Sequence, residues 1–188
     1  MENRLTALDL GPQAALDDDL QAYFDKCTAK LGLIPNVLQS YAFDQDKLRG
    51  FMAMYNDLML APSGLTKMER EMIAVAVSAE NRCVYCLTAH GAALRQLTGD
   101  PALSEVIAQN YRAAGLPPRQ RAMLDFAVKL TKSPQTMEET DRAALREAGF
   151  SDRDIWDISA VAAFYNMSNR IAAAVEMGPN PEYHAMAR

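Results

Sequence analysis

Signals that begin and end α-helices recur along almost the whole chain, whereas no segment carries the signals of β-strands. Thr66 has Glu69 three residues later, the spacing of a capping box, in which each side chain satisfies the free backbone N–H of the other residue. Asp100 and Pro101 have the pattern of an N-cap followed by proline at the first helical position. Only 7% of the residues are aromatic, while the helix-favouring residues alanine and methionine are abundant. The chain is therefore predicted to be all-α.

The spacing of apolar residues, glycine and proline places the helix boundaries. A second capping box is predicted at Thr136 and Glu139, and a turn is predicted at 34–36. With 188 residues, no linker and no low-complexity segment, the helices form one domain that is large enough to bury a core. The predicted helices cover 16–31, about 44–60, a segment from 66, 100–115, a segment from 117, 136–149 and 155–176.

An internal echo relates residues 65–77 to residues 116–128. Duplication and a merely similar composition of two buried, alanine-rich helices both explain the likeness. The two segments differ where chemistry is concerned, because Glu71 stands opposite Ala122 and no cysteine pair follows the second segment. Any active chemistry is therefore expected in the first segment alone.

Acidic residues outnumber basic ones, with 24 Asp and Glu against 19 Lys and Arg and a net charge of −5. The chain has no excess of basic residues of the kind that binds nucleic acids, so no nucleic-acid partner is expected. No apolar run approaches the roughly 18 residues that cross a bilayer, and no apolar signal region opens the chain, so we expect a cytoplasmic protein without a membrane partner. Thiols stay reduced in the cytoplasm, and a close pair among the three cysteines is then expected to be metal-binding or redox-active.

Two cysteines and a histidine have the spacing of one helix face. At about 100° per residue, Cys83, Cys86 and His90 fall within a sector of about 60°. Glu71 lies 12 residues before Cys83, about 18 Å away on one continuous helix. A break near 80–82 is needed to bring Glu71 to the histidine, and it places both cysteines in the first turn of the next helix.

The start of a helix favours a thiolate over a thiol, because the free N–H groups and the positive end of the dipole stabilise the anion. Such a thiolate attacks a peroxide oxygen or a disulfide, and a second cysteine captures the sulfenic acid or the mixed disulfide. His90 is a candidate local base or stabilising cation, and Glu71 is a candidate for holding its tautomer or passing the proton on. The candidate catalytic residues are therefore Cys83, Cys86, His90 and Glu71.

Other interpretations of these residues stay open at this point. Zinc could bind the cysteine pair and the histidine, with Cys27, His184 or a carboxylate as the fourth ligand. The cysteine pair could also be small buried core residues, and Glu71 could be a solvated helix residue. Cys27 has the apolar spacing of a core residue beside Tyr23 and Phe24, and His184, in a proline-rich tail, is expected to be exposed or at a subunit contact.

The pattern Glu71-x11-Cys83-x2-Cys86-x3-His90 resembles the catalytic signature of alkylhydroperoxidase D, within the carboxymuconolactone decarboxylase superfamily. The resemblance implies an all-α orthogonal bundle of about eight helices with an internal repeat. It also implies a homo-oligomer, a trimer or a multiple of one, that reduces hydroperoxides. Flanking segments that resemble the peroxidase-related branch of this superfamily are 32–36, 62–65, 69–71 and 169–172.

The resemblance also implies a role for each candidate residue. Cys86 is then the thiolate that attacks the peroxide, Cys83 is its resolving partner, and His90 and Glu71 form a proton relay. The helix dipole alone favours Cys83, whereas His90 is the i+4 neighbour of Cys86. Tyr85 stands where alkylhydroperoxidase D has a second histidine, which puts the efficiency and the reducing partner in question. The decarboxylases of the superfamily lack the cysteine pair, which disfavours their activity here.

These observations together predict a thiol-dependent hydroperoxide reductase of the antioxidant type. Its partners are a hydroperoxide substrate and a thiol or protein reductant, and no metal or organic cofactor is expected. The alternatives are a thiol–disulfide oxidoreductase or adapter that acts on a protein disulfide, and a zinc-stabilised helical oligomerisation module. The single domain 1–188 is expected to comprise N-terminal helices at about 1–60, a redox-active helical pair at 65–98, a degenerate repeat at 116–176 and a C-terminal tail at 177–188.

Overall fold

The structure, a computed structural model, describes residues 5–11 and 15–188 of the chain. These residues form helices and contain no β-strand, which confirms the all-α, single-domain prediction. Residues 1–4 and 12–14, which belong to the predicted N-terminal part, lie outside the described residues. Within the described ranges the α-helices are α1 (Asp18–Leu31), α2 (Asn36–Tyr41), α3 (Gln45–Tyr55), α4 (Lys67–Glu80), α5 (Val84–Thr98), α6 (Pro101–Asn110), α7 (Pro118–Lys132), α8 (Glu139–Glu147) and α9 (Asp152–Ala174).

Shorter helical turns of other kinds link these helices. A π-helical turn continues α3, and three 3-10 turns follow α6, α7 and α9. None of the helices in the described part of the chain is long and apolar enough to cross a membrane. The short turns are Asn56–Leu60, Tyr111–Ala113, Pro134–Thr136 and Pro181–His184.

Most helix boundaries follow from local caps, as predicted. Thr66 and Glu69 form the expected capping box at the start of α4, with the Thr66 hydroxyl accepting from the Glu69 N–H at 3.1 Å. Asp100 caps α6 with Pro101 at its first position. Gly32 ends α1 with a φ of 74°, a left-handed conformation that glycine adopts at little cost.

The turn predicted at 34–36 leads into α2, which begins at Asn36, and this short helix brings the α-helices of the described residues to nine, against about eight expected. Its first backbone N–H groups are satisfied by distant side chains. The Asn36 N–H donates to Oδ1 of Asn180 at 2.7 Å, and the Val37 N–H donates to the Tyr85 hydroxyl at 3.0 Å. Because both acceptors are far away in sequence, no local signal marks this helix start.

The second capping box lies two residues beyond its predicted place. Thr136 belongs to a 3-10 turn, in which its hydroxyl donates to the Ser133 carbonyl at 2.8 Å. Helix α8 begins at Glu139, and the Asp141 carboxylate accepts from the Glu138 N–H at 2.8 Å. The prediction of a box at Thr136 and Glu139 is therefore wrong, because the preceding turn already uses the threonine hydroxyl.

Helix α4 lies at the centre of the molecule. All of its residues from 69 to 78 are buried, and the helix packs against α5, α6, α7 and α9. This buried run includes two acidic residues, which need partners in a low-dielectric interior. Glu69 forms an ion pair with Arg119 of α7 at 3.0 Å, while Glu71 faces α5.

A tight turn joins α4 to α5. Helix α4 ends at Glu80 and α5 begins at Val84. Between them Arg82 has a φ of 54°, in the left-handed region, and the Cys83 N–H donates to the Ser78 carbonyl at 3.0 Å. The predicted break is thus present, and it folds the two helices against each other.

Candidate active site

The cysteine pair lies at the start of α5, where the sequence places it. Cys83 is the N-cap residue, and its sulfur accepts from the Cys86 backbone N–H at 3.4 Å. Both side chains are buried, with 3% and 1% exposed, and both thiols are free. The pair therefore combines a helix N-terminus with side chains that are almost fully buried.

The two thiols share a hydrogen bond, which separates their pKa values. The bond from the Cys86 thiol lowers the pKa of Cys83 to about 7, and the Cys86 N–H and the charge of His90 act in the same direction. The pKa of Cys86 is raised, because its proton is held by Cys83 and because it is buried. The pair consequently gives up one proton near neutral pH, while an ordinary cysteine does so near pH 8.5.

Glu71 and His90 meet across the interface between α4 and α5. Oε2 of Glu71 lies 2.8 Å from Nδ1 of His90, and both side chains are nearly buried, with 10% and 14% exposed. A carboxylate only accepts hydrogen bonds, so Nδ1 carries the proton and Nε2 is left free to exchange one. The alternative of a solvated Glu71 is thus wrong, because the turn after α4 places this residue inside the molecule.

Helix α9 contributes polar groups that spacing alone does not reveal as part of the site. The Tyr165 hydroxyl lies 3.4 Å from Nδ1 of His90, and the two rings pack edge to face at 4.6 Å. The amide of Asn169 lowers the pKa of both thiols, and its Nδ2 donates to the Ser78 hydroxyl at 3.0 Å. Ser168 also lowers the pKa of Cys86. The available signal is three polar residues at i, i+3 and i+4 on a helix whose same face is otherwise apolar.

A cavity of about 480 Å³ leads to the site. Cys86 and His90 both line it, and aromatic side chains such as Phe51, Phe164 and Tyr165 form much of its wall. Cys83 contacts Cys86 but is not among the lining residues. Of the paired cysteines, Cys86 is therefore the one that a small molecule in this cavity contacts.

Tyr85, at the position of the family's second histidine, has a structural contact. Its hydroxyl accepts from the Val37 N–H at the start of α2, and burial raises its pKa well above the usual value. Tyr85 stays neutral at physiological pH and forms part of the cavity wall. It supplies no titrating group near neutral pH, which a histidine at that position would.

The other sequence candidates lie apart from the cysteine pair. Cys27 is half-buried in α1, where it lines the same cavity and packs against the core, and burial raises its pKa. His184 is exposed in the C-terminal tail. Among residues 5–11 and 15–188 no group of three or more His, Cys, Asp or Glu is arranged to hold a metal ion, so the zinc alternative has no ligand set there.

An all-helical chain with a buried cysteine pair at a helix start, beside a Glu–His pair, defines the class of alkylhydroperoxidase-like folds. The model of the carboxymuconolactone decarboxylase family matches residues 45–115, which include all four candidate residues. A structure of an uncharacterized peroxidase-related protein from Silicibacter sp. TM1040 is 58% identical, with a TM-score of 0.95 over 99% of this chain and 97% of that one. The chain belongs to the carboxymuconolactone decarboxylase superfamily, in its alkylhydroperoxidase D-like branch.

Further solved structures agree with this assignment. The alkylhydroperoxidase AhpD core of an uncharacterized peroxidase-related protein from Ralstonia eutropha JMP134 is 46% identical, with a TM-score of 0.94 over 99% of this chain and 98% of that one. A debrominase is 18% identical with a TM-score of 0.78, over 99% of this chain and 97% of that one, which shows a shared fold. No curated protein matches the chain.

Proposed function

We propose that this protein is a thiol-dependent hydroperoxide reductase of the antioxidant type. The observation that carries the proposal is a free cysteine pair at the start of α5 that contacts a cavity through Cys86, and the lowered pKa of Cys83 supports it. The Glu71–His90 pair beside that cavity supplies a base of defined tautomer. The relatives described as peroxidase-related support the same class of reaction.

The first steps concern protons. His90 takes the proton of the Cys83 thiol, giving an imidazolium and a thiolate. When the peroxide reaches the cavity, the Cys86 thiol passes its proton to the Cys83 thiolate along their hydrogen bond, an uphill step because the pKa of Cys83 is lowered and that of Cys86 is raised. This transfer leaves the negative charge on Cys86, the sulfur that lines the cavity.

The remaining steps balance in atoms and electrons. The Cys86 thiolate attacks the terminal peroxide oxygen, the O–O bond breaks, and the alkoxide leaves as the alcohol with the proton from His90. Cys86 is now a sulfenic acid, oxidised by two electrons. The Cys83 thiol attacks its sulfur, releasing water and forming the Cys83–Cys86 disulfide. Two equivalents of an external thiol, or one dithiol, then return two electrons and two protons to restore the pair and leave as a disulfide.

Burial of the cysteine pair supports a peroxide, rather than a protein disulfide, as the substrate. A disulfide on another protein must reach a sulfur directly, yet the side chains of Cys83 and Cys86 are almost fully covered. The reacting end of a hydroperoxide consists of only two oxygen atoms. It can therefore enter a cavity that a folded protein cannot enter. The geometry therefore favours the peroxidase over the thiol–disulfide adapter.

The test is to count thiols before and after one equivalent of cumene hydroperoxide, in a Cys27→Ser background that leaves only the pair. We expect two thiols to be lost per chain without covalent dimers, and dithiothreitol should restore both. Loss of one thiol or of none contradicts the proposal.

Single serine variants in the same background assign the two roles. Cys83→Ser should accumulate a sulfenic acid on Cys86 that a dimedone-type reagent traps, because the resolving thiol is gone. Cys86→Ser should react with peroxide at least tenfold more slowly. The reverse pattern would make Cys83 the attacking residue.

A further inference from the structure

The cavity that reaches Cys86 carries two lysines at its outer end. Lys26 and Lys30 lie one turn apart on α1, both are exposed, and both line the cavity. Neither forms an ion pair in the part of the chain that the structure describes. Cys86 and His90, by contrast, lie at the covered end. The cavity is thus cationic at its mouth and reactive at its floor.

The positive charge at the mouth of the cavity contrasts with the net negative charge of the whole chain. No aspartate or glutamate lines this cavity among the described residues. The chain as a whole carries a net charge of −5, so a cavity lined by two lysines and, among the described residues, by no acidic side chain runs against the overall composition. Such a local field favours an anionic group at the mouth.

The walls between mouth and floor are mainly apolar and aromatic. Leu38, Phe51, Met52 and Phe164 line the space, and a tilted ring contact holds Phe51 against Phe164 with the centroids 5.4 Å apart. At about 480 Å³ the cavity lies within the range of about 300–1,000 Å³ that holds ligands many times larger than hydrogen peroxide. An apolar body of many carbon atoms fits this volume, whereas a small polar peroxide leaves most of the cavity wall uncovered.

We propose that the cavity binds amphipathic monocarboxylates, with the carboxylate at Lys26 and Lys30 and the apolar body against the walls. The substrate class is then a carboxylic acid that bears its hydroperoxide on the chain, so that the peroxide reaches Cys86. This assignment deepens the proposed function and rests on it for the reacting group, whereas carboxylate binding rests on the cavity alone.

Binding is tested by calorimetry with decanoate and with 1-decanol, which shares the chain but carries no charge. We expect decanoate to bind more tightly, and increasing salt to weaken decanoate alone. The double variant Lys26→Gln/Lys30→Gln should weaken decanoate about 3- to 10-fold, the effect of two partly exposed ion pairs, and leave 1-decanol unchanged. Lys67→Gln, an exposed lysine outside the cavity, is the matched control. Equal affinity for acid and alcohol, or no effect of the double variant, overturns the proposal.

A kinetic comparison separates this inference from the proposed function. For a fatty-acid hydroperoxide, the Lys26→Gln/Lys30→Gln protein should show a raised KM at unchanged kcat. For the uncharged cumene hydroperoxide, KM should not change. If no peroxide is turned over but decanoate binding still depends on both lysines, the peroxidase proposal fails and the carboxylate site stands. If peroxides are turned over with no preference for the acid, the carboxylate site fails alone.

Discussion

Helices α4 and α7 show how one packing arrangement serves a reactive and an unreactive segment. Lys67 and Pro118, their first residues, are 51 positions apart, the same offset that relates the two echoing sequence segments. Met72 and Met123 occupy matching positions, and each is 0% exposed. The two helices therefore bury the same kind of residue in the same register.

The matching arginines extend the correspondence beyond the helices. Arg70 donates to the carbonyl of Ala61 at 2.8 Å, and Arg121 donates to the carbonyl of Arg112 at 3.3 Å. In both cases the acceptor lies nine residues before the arginine. Each arginine thus ties its helix to the segment that precedes it.

The difference between the two regions lies in one side chain and in the element that follows. Glu71 of α4 is buried against His90, whereas Ala122 of α7 is half-buried and lines a separate groove of about 770 Å³. A three-residue turn leads from α4 to the cysteines, while α7 is followed by the 3-10 turn Pro134–Thr136. Packing is retained in both regions, and the chemistry needs a buried acid together with a helix start.

The largest expected effect comes from replacing His90, the proposed base. His90→Gln should lower kcat/KM for cumene hydroperoxide by about 10²–10⁴-fold, the usual contribution of general acid–base catalysis. His184→Gln removes the exposed histidine of the tail and should stay within about twofold, because nothing in the site depends on it. Equal losses in both variants would contradict the assignment of His90.

The shared packing is tested by truncating the two matching methionines. Met72→Ala and Met123→Ala should each lower the free energy of unfolding by about 2–5 kcal/mol, since both side chains are fully buried. Urea denaturation measures the change. A loss below about 1 kcal/mol in either variant would show that the two helices do not bury equivalent residues.

Glu71 distinguishes the two regions most directly. Glu71→Gln removes the charge that orients His90, and the misplaced base should lower kcat/KM about 10²-fold. The loss should also alter the pH profile of the rate, which a purely structural effect would leave in place. Ala122→Ser, at the matching position of α7, should leave both the rate and its pH profile unchanged.

The smallest effect concerns the thiol pKa and is measured by alkylation against pH in a Cys27→Ser background. The lowered pKa of Cys83, about 7, means that the alkylation rate rises through pH 7 as the thiolate forms and falls as the pH drops below it. Asn169→Leu removes an amide that favours the thiolate, so the midpoint should rise. Met167→Ala, at an exposed position of α9, is the control that should not move it.

Sequence patterns predict those parts of the fold that local contacts determine. The capping box at Thr66 and the N-cap at Asp100 are confirmed, because each uses side chains within three residues of the helix start. The start of α2 depends on Asn180 and Tyr85, which no short window contains. A homo-oligomer stays a prediction, and light scattering checks it against the chain mass of 20.7 kDa.

The candidate site, like the fold, is predictable from the sequence only where local spacing determines it. The spacing of Cys83, Cys86 and His90 implies one face of a helix, and the structure places them on α5 with Cys83 as its N-cap. The contributions of Tyr165 and Asn169 arise from the packing of α9 against this helix. Contacts between elements far apart in sequence do not follow from periodicity, so spacing alone does not reveal these two residues.

The sulfur of Cys83 has two tasks, since the atom proposed to carry the redox chemistry also caps α5. Sulfur is a weak acceptor, and serine is among the residues that cap helices best. Serine at this position should leave the fold intact and raise the melting temperature, while it removes the reaction. The sulfur of Cys83 thus caps α5 more weakly than a serine hydroxyl would, but it supplies the reactive thiol. Stability and activity therefore make opposite demands on this single atom. Selection for heat resistance alone would favour the inactive serine.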